Sequence, residues 1–457
     1  MRASEIEDLK AGTFTQDCPA MILSNGDPDQ PRHFSGPGCL SLDEHGQLQL
    51  VLYDPGHDPD PRALIRTSGV GEWVAESDIY ELEATDLSGR IWRSINLTVG
   101  VNVHVARPGA VVRAHLDSLS SEADWEHGGS DWMSLFFPHR VEAPRNVSTI
   151  TTVEETDRKG QRRGSECDVW AFSCGNLHMR MRFRDESFEI SASVEEGASL
   201  EDLGAIIEET IWFTLGQPVR ADIVRYRRAG REGITIHSRG RDDALASAMP
   251  PYHIRIPDSA SVLGEMFCKY FKHVAVDRDG RYHPLSVLIR KALRAETGTV
   301  EEAALARCVA IEGIVDLEFP DRGKPSDEVL EAVSTLKELL EDHLESSPIK
   351  SRVEGFFGSV RGRSSRTALH TLAEQKVITD DQLEAWETLR HVAAHGREYQ
   401  LPPREVLELT EKLRVLMSRL VFEGIGYTGT YTDYGTRGWP VQSHKSPDVA
   451  LSEGETV

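Results

Sequence analysis

The residues best suited to chemistry lie together near the C-terminus of the chain. Arg390 and His391 are adjacent, and His395 follows after Val-Ala-Ala. An arginine guanidinium presents a planar fork of hydrogen-bond donors that matches phosphate oxygens. A histidine can accept or release a proton near neutral pH. These residue types are therefore suited to reactions of a phosphodiester.

The spacing of these residues is not specific by itself. The chain has 17 histidines, and Arg231 and His237 repeat a similar spacing. In that second match, Ile234 and Ile236 alternate with polar neighbours, which predicts a strand. A single histidine is also more often a surface or hydrogen-bonded residue than a catalytic one. The neighbouring elements must therefore distinguish the two matches.

A well-delimited helix is predicted to carry Arg390 and His391. Thr379 begins it with the pattern Thr-Asp-Asp-Gln, a capping box with acids in the first turn, and Gly396 is typical of a helix end. Pro402 begins a long leucine-rich helix that follows. The apolar stripe of the first helix consists of Leu383, Trp386 and Leu389.

Arg390 and His395 do not share a face of an ideal helix. Five residues at about 100° each place them roughly 140° apart around the axis. Either the helix loosens near Ala394, or the two side chains border a groove that another chain completes.

A basic stretch before this helix is a second candidate for contact with nucleic acid. Over residues 350–366 the only acid is Glu354. Phe356 and Phe357 would stack on bases if they were exposed, although phenylalanine is more often a core residue. A phosphate-binding loop and a solvated loop fit the arginines of this stretch equally well. The candidate RNA contacts are Arg361, Arg363 and Arg366.

The motif and its surroundings resemble the HEPN family, whose helical bundles carry an arginine, a polar residue or histidine, three further residues and a histidine. Here these are Arg390, His391, Val-Ala-Ala and His395, with the glycine that follows. A strand-rich acidic domain before such a bundle is similar to the ApeA-type anti-phage proteins of bacteria. The resemblance covers about residues 299–427, and over residues 79–97 it rests on a strand, an Asp-x-x-Gly turn and a tryptophan strand.

The resemblance implies a metal-independent endoribonuclease without a cofactor, acting in abortive infection. His395 would be the general base on a ribose 2′-hydroxyl or the general acid on the leaving oxygen, and Arg390 would stabilise charge on the phosphate. His391 would orient the substrate or carry a second proton. Attack by the 2′-hydroxyl would leave a cyclic phosphate and would favour RNA over DNA.

The resemblance also implies partners. The substrate would be RNA, with tRNA as one candidate, and the trigger would be a phage-derived component or a nucleotide. HEPN ribonucleases commonly pair two bundles so that both motifs face one cleft. Ala393 and Ala394 are small enough for such an approach, so a homodimer through the helical domain is expected.

Composition narrows the class of protein. The 457 residues contain 51 Lys and Arg against 74 Asp and Glu, a formal charge of −23. Such an acidic chain is not a general nucleic-acid binder, so any contact with RNA requires a local basic patch. The absence of a long apolar run or a secretory signal predicts a cytoplasmic protein without a membrane partner. The six cysteines lack close pairs, which disfavours a structural metal site.

The periodicity predicts an α+β multidomain chain. Residues 1–245 form a β-rich, sandwich- or barrel-like domain, and residues 246–282 connect it to the helices. Residues 283–427 form an α-helical HEPN-like bundle. Residues 428–457 form a polar tail, which is expected to be mobile at least beyond Pro440.

Turn and cap signals place elements within these domains. Hairpins are predicted around Asp43, around Gly89 and across residues 184–187, and one helix is predicted over residues 199–215. In the bundle, helices are predicted to begin near Pro284 and Thr299.

Two other functions remain open. The bundle could be a non-catalytic HEPN-type module that binds a nucleotide or a protein partner. Alternatively, the β-rich domain could recognise a protein or glycan while the bundle is only structural, although tryptophans of such domains are more often in the core. Its candidate contacts are Trp73, Trp92, Trp125, Trp132 and Trp170.

Overall fold

The chain divides into two compact units. A computed structural model describes residues 3–25, 33–56, 79–103, 109–125, 130–149, 166–194, 202–239, 248–276, 282–341, 348–361, 363–394 and 401–444. The β unit comprises Met1–Val141, Arg145–Gly204 and Val219–Ala244. The helical unit comprises Glu142–Pro144, Ala205–Pro218 and Leu245–Val457. The predicted division into a strand-rich N-terminal half and a helical C-terminal region is confirmed.

In the described chain, the β unit has one helix, α1 (Ala3–Lys10), and one antiparallel sheet of fifteen strands. The order across the sheet is β10-β11-β12-β13-β9-β14-β15-β8-β5-β4-β1-β2-β3-β7-β6. The strands are β1 (Thr15–Asn25), β2 (His33–Leu42), β3 (Leu48–Asp54), β4 (Tyr80–Thr85), β5 (Ile91–Leu97), β6 (Val99–Val103), β7 (Ala110–Leu116), β8 (Ser118–Asp124), β9 (Trp132–Phe137), β10 (Val147–Thr149), β11 (Glu166–Cys174), β12 (Leu177–Phe183), β13 (Phe188–Val194), β14 (Ile223–Arg228) and β15 (Arg231–His237).

Two aspartates form the predicted hairpin turns. The Asp43 carboxylate accepts hydrogen bonds from the backbone N–H groups of His45 at 2.8 Å and Gln47 at 2.9 Å. The Asp86 carboxylate accepts from the backbone of Ser88 at 2.8 Å and from the Trp92 indole Nε1 at 3.1 Å. These contacts replace the missing ladder partners of the turn backbone, which is why aspartate initiates both turns. The predicted hairpins β2-β3, β4-β5 and β12-β13 are all confirmed.

The sheet does not stay flat. Side chains from α1, from β1 to β5 and from β7, β8, β9, β14 and β15 share one apolar core, and β5 contacts β7 although the two strands are not neighbours in the order. An open twisted sheet rarely exceeds about ten strands without curling. Curling lets distant strands bury a common apolar face around Trp92. Trp170 is buried as well, so both of these tryptophans are core residues.

The described part of the helical unit consists of nine α-helices, one short 3-10 helix (Ala295–Thr297) and a small hairpin. The helices are α2 (Leu203–Leu215), α3 (Ser259–Val274), α4 (Pro284–Arg294), α5 (Val300–Glu318), α6 (Asp327–Glu341), α7 (Pro348–Arg361), α8 (Ser365–Glu374), α9 (Asp380–Ala394) and α10 (Pro403–Gly424), and the hairpin is β16 (Thr430–Thr432) with β17 (Val441–Ser443). None of the described helices is both long and apolar enough to cross a membrane.

Helix α2 lies within the N-terminal half of the sequence, but most of it belongs to the helical unit. Every residue from Ile206 to Leu215 is buried, and the Phe213 ring lies 4.8 Å from Tyr270 and 6.0 Å from Phe422. A helix that is apolar on all sides requires neighbours on all sides. The position of this helix between strands along the chain predicts that it belongs to the β-rich domain, and that prediction is wrong.

The segment after α10 is folded as far as His444. Tyr427, Tyr431, Tyr434 and His444 are all buried, and the Tyr434 hydroxyl donates to the Pro250 carbonyl at 2.8 Å. A polar, glycine-rich composition predicted a mobile tail from residue 428. Tertiary packing of the tyrosine rings orders residues 428–444 instead, because each hydroxyl group remains hydrogen-bonded or near the surface while the ring is buried.

Candidate functional site

Helix α9 carries two of the candidate catalytic residues, Arg390 and His391, near its C-terminal end. Its buried stripe is the predicted one, since Leu383, Trp386 and Leu389 are all buried. At its start, the Gln382 side chain accepts from the Thr379 backbone N–H at 3.1 Å. The Thr379 hydroxyl bonds to the Asp381 carboxylate rather than to the helix backbone, so only one half of the predicted capping box forms. The helix is thus anchored by its apolar face.

Arg390 is held by two neighbours. Its Nε donates to the Glu312 carboxylate of α5, and its guanidinium carbon lies 5.4 Å from the centre of the Trp386 ring. The hydrogen bond with Glu312 raises the pKa of Arg390. The side chain is 50% exposed, and neither Nη group is hydrogen-bonded to a described residue. The free edge of the guanidinium can therefore meet a phosphate.

Glu312 is the site residue that sequence reasoning missed. It lies 78 residues before Arg390 and has no motif of its own. The pKa of the nearby Cys308 thiol is raised to about 12. Burial is the main cause, and the negative charge of Glu312 is the second. Cys308 is therefore an uncharged packing residue under the ion pair. No local signal in the sequence identifies this partnership, because packing of α5 against α9 creates it.

A second ion cluster lies beside Arg390. Arg366 of α8 donates from Nε to the Glu387 carboxylate at 2.7 Å, and His370 Nε2 lies 3.2 Å from the same oxygen. The hydrogen bond from Arg366 lowers the pKa of Glu387. Glu387 precedes Arg390 by three residues and His391 by four, so these side chains border one side of α9. We call Arg366, His370, Glu387, Arg390 and Glu312 the α9 charged cluster.

Arg363 has a structural role in α5. Its Nε donates to the Arg322 carbonyl at 2.9 Å, and its Nη2 donates to the carbonyls of Val315 at 2.7 Å and Phe319 at 3.1 Å. Its Nη1 forms an ion pair with Asp316. These contacts add a charged donor to carbonyl groups at the end of α5 and in the turn after it, where the Val315 and Phe319 carbonyls also accept backbone N–H groups. A phosphate would have to compete with all of them, so the placement of Arg363 does not support RNA contact.

The other predicted residues of the basic stretch are separated by the fold. Arg361 is the last residue of α7, and its side chain lies outside the described residues. Arg366 is exposed and belongs to the α9 charged cluster. Phe357 is buried whereas Phe356 is 63% exposed. Of the predicted RNA contacts whose side chains the structure describes, Arg366 is the exposed one that joins the α9 charged cluster.

The structure describes only one of the two histidines of the motif. His391 is exposed on the last turn of α9. His395 lies outside the described residues, so its relation to Arg390 stays a prediction. The described residues contain no group of three or more His, Cys, Asp or Glu side chains arranged to hold a metal ion. The described site therefore consists of Arg390, which Glu312 orients through Nε, and the neighbouring exposed His391.

Comparisons with protein-family models, with curated proteins and with solved structures found no match for this chain.

Proposed function

We propose that this protein is a HEPN-type endoribonuclease that acts in bacterial anti-phage defence and causes abortive infection by cutting RNA. The observation that carries the proposal is the state of Arg390. It lies near the end of α9, oriented by Glu312 and Trp386, and neither Nη group is hydrogen-bonded to a described residue. An arginine fixed in this way can stabilise negative charge without reorganising during the reaction.

The proposed chemistry assigns one role to each residue of the motif. A histidine, His395 in the proposal, removes the proton of a ribose 2′-hydroxyl or protonates the leaving 5′-oxygen. The 2′-oxygen attacks the adjacent phosphorus, and the bond to the 5′-oxygen breaks. Arg390 stabilises the charge that builds on the non-bridging oxygens, and His391 orients the phosphate or moves the second proton. The products are a 2′,3′-cyclic phosphate and a free 5′-hydroxyl, with no metal required.

The α9 charged cluster supports a local route for RNA into an acidic protein. Arg366 is exposed beside Glu387 and lies on the same side of the helical unit as Arg390. A phosphate of the strand could replace the carboxylate of Glu387 as the partner of Arg366, because the two anions offer similar acceptors. In the proposal, Arg366 binds a flanking phosphate and Arg390 binds the reacting one.

Substitution of the motif tests the proposal directly. Purified Arg390→Ala and His395→Ala variants should lose RNA cleavage by about 10²–10⁴-fold, the usual contribution of one acid–base or charge-stabilising group. Cleavage is measured on labelled RNA in a buffer with a chelator, with identification of the cyclic phosphate ends. Arg404→Ala is the matched control, since Arg404 is exposed on α10 and pairs only with Glu408 among the described residues.

Equal cleavage by wild type and both motif variants would show that the catalytic assignment is wrong. RNA binding without cleavage by the wild type would favour the non-catalytic module instead. Induced expression of wild type and His395→Ala, with and without phage, tests the role in defence: growth arrest with RNA fragments should require His395.

A further inference from the structure

The β unit carries a groove that the proposed nuclease site does not use. The groove has a volume of about 440 Å³, which lies within the usual range of small-molecule sites. It runs over strand β13, between β12 and β9. Its lining includes Trp132, His178, Arg180, Ser191 and Ser193.

The register of the sheet explains the shape of the groove. Ser193 lies opposite His178 on one side and Trp132 on the other, and Ser191 lies opposite Arg180. Residues directly opposite in a sheet point to the same face. The two small serines therefore form a low floor, and the larger side chains of β12 and β9 form the walls.

The wall formed by Trp132 is reinforced from β14. The guanidinium carbon of Arg225 lies 5.3 Å from the Trp132 ring, and that of Arg227 lies 5.9 Å from it and 3.9 Å from the Trp125 ring. Arginine stacked on indole keeps both groups in place at a partly exposed site. The half-buried Trp132 ring is thus fixed by two arginines of β14, the strand on the opposite side of β9 from β13.

The groove is lined by an exposed arginine although the chain is strongly acidic. Arg180 is exposed and makes no ion pair with any described residue. Three described carboxylates near the groove have other partners: Glu232 lies 3.7 Å from Arg225, Glu189 accepts from Lys10 at 3.0 Å and from Ser134 at 2.8 Å, and Asp131 accepts from the Ala229 N–H at 3.3 Å. An anion in the groove therefore meets an arginine that has no ion-pair partner among the described residues.

We infer that this groove binds a nucleotide, with its base on Trp132 and its phosphate on Arg180. Proteins that bind nucleic-acid strands without sequence preference stack the bases on aromatic rings and contact the phosphates with basic side chains. Trp132 and Arg180 offer both kinds of contact at one site. The serines of the floor add hydroxyl groups that can donate or accept hydrogen bonds. The ligand is a free nucleotide or one unit of a single strand, and these two sources share the same chemistry. The inference does not depend on the proposed nuclease activity.

Calorimetric titration of the full-length protein tests the inference with probes that a 2′-hydroxyl mechanism cannot cut. The probes are adenosine monophosphate, adenosine and a single-stranded hexadeoxyadenylate. Adenosine monophosphate should bind about tenfold more tightly than adenosine, because one charge-assisted contact is added. Tighter binding of the hexadeoxyadenylate identifies a strand as the source, and equal binding identifies the free nucleotide.

Variants locate the binding. Arg180→Gln should remove the preference for the phosphate, and Trp132→Ala should weaken both adenosine probes by about tenfold, whereas Trp132→Phe keeps a stacking face and retains most of the affinity. Arg182→Gln is the matched control, because Arg182 is exposed on the same face of β12 but lies opposite Glu189, beyond the groove. Absence of binding, equal affinity for the two adenosine probes, or equal effects of Arg180→Gln and Arg182→Gln would overturn the inference.

Discussion

At the scale of single residues, hydrogen bonding distinguishes an arginine that can still bind a ligand from one that holds the fold together. Arg363 and Arg390 are both arginines of the helical unit in contact with α5. Arg363 donates to three backbone carbonyls and one carboxylate, whereas Arg390 donates only from Nε to Glu312 among the described residues. The number of donors that remain free therefore decides which of them can meet a phosphate.

Glu312 is expected to act as a positioning residue for Arg390. Glu312→Ala removes the acceptor that orients the guanidinium, so kcat for RNA cleavage should fall by about tenfold while KM changes little. The pair is half-exposed, so stability should change by less than about 1 kcal/mol. Steady-state kinetics and urea unfolding measure the two effects.

The control for this experiment is Glu408→Ala, which breaks an exposed ion pair with Arg404 on α10. If Glu312→Ala and Glu408→Ala leave kcat equally unchanged, Glu312 has no part in positioning Arg390.

At the scale of elements, side-chain contacts at both ends of α5 stabilise the helix that carries Glu312. Thr299 begins α5 with a complete capping box, in which its hydroxyl accepts from Glu302 N–H at 3.2 Å and its own N–H donates to the Glu302 carboxylate at 2.8 Å. Arg363 closes the other end of the same helix from a distant part of the chain. Both ends of α5 are therefore satisfied, which holds Glu312 in a defined place between them.

Arg363→Ala should destabilise the helical unit by about 1.5–3 kcal/mol, because carbonyl groups at the end of α5 lose a charged donor. Arg363→Lys should not restore stability, since an ammonium group cannot reproduce the planar fork. Arg366→Ala provides the comparison: it removes an exposed pair and should alter stability by no more than about 0.5 kcal/mol. Urea denaturation of the three variants measures the differences, and equal midpoints for Arg363→Ala and Arg366→Ala would contradict the structural role.

At the scale of the whole molecule, the order of elements along the chain does not match the division into units. Helix α2 is encoded between strands of the β unit, but its side chains belong to the core of the helical unit. Trp212 contacts Tyr282 with ring centres 4.9 Å apart, and the Glu209 carboxylate accepts from His283 N–H at 3.0 Å. The helical unit is therefore not a continuous C-terminal piece of the chain.

A fragment that starts after α2 should consequently fail to fold. Residues 245–457 lack Ile207, Ile211, Trp212 and Phe213, each of which is buried. Each such side chain contributes about 1.5–3 kcal/mol on burial, so their loss is comparable to the net stability of a domain, about 5–15 kcal/mol. A fragment of residues 202–457, which keeps α2, is the control. Circular dichroism during urea titration should show a cooperative transition only for the longer fragment, and equal transitions would contradict this assignment.

Much of the fold could be predicted from local patterns. The hairpins at Asp43 and Asp86, the helices beginning at Pro284 and Thr299, and the buried stripe of α9 all depend on residues a few positions apart, whose turn and cap chemistry is local. The burial of Trp92 and Trp170 also agrees with the usual place of tryptophan in strand-rich domains. The motif around Arg390 is also local in sequence, but its catalytic role stays a prediction.

Only tertiary structure decided the rest. Glu312 as the partner of Arg390, Arg363 as the cap of α5, α2 as part of the helical unit and the packing of Tyr431 and Tyr434 all involve residues far apart along the chain. The groove of the β unit likewise depends on the register that places small Ser191 and Ser193 between larger side chains. By itself, the sequence determined which residue types are present and which local elements carry them. Long-range packing decided their partners, because the free energy of those contacts exists only after the elements have come together.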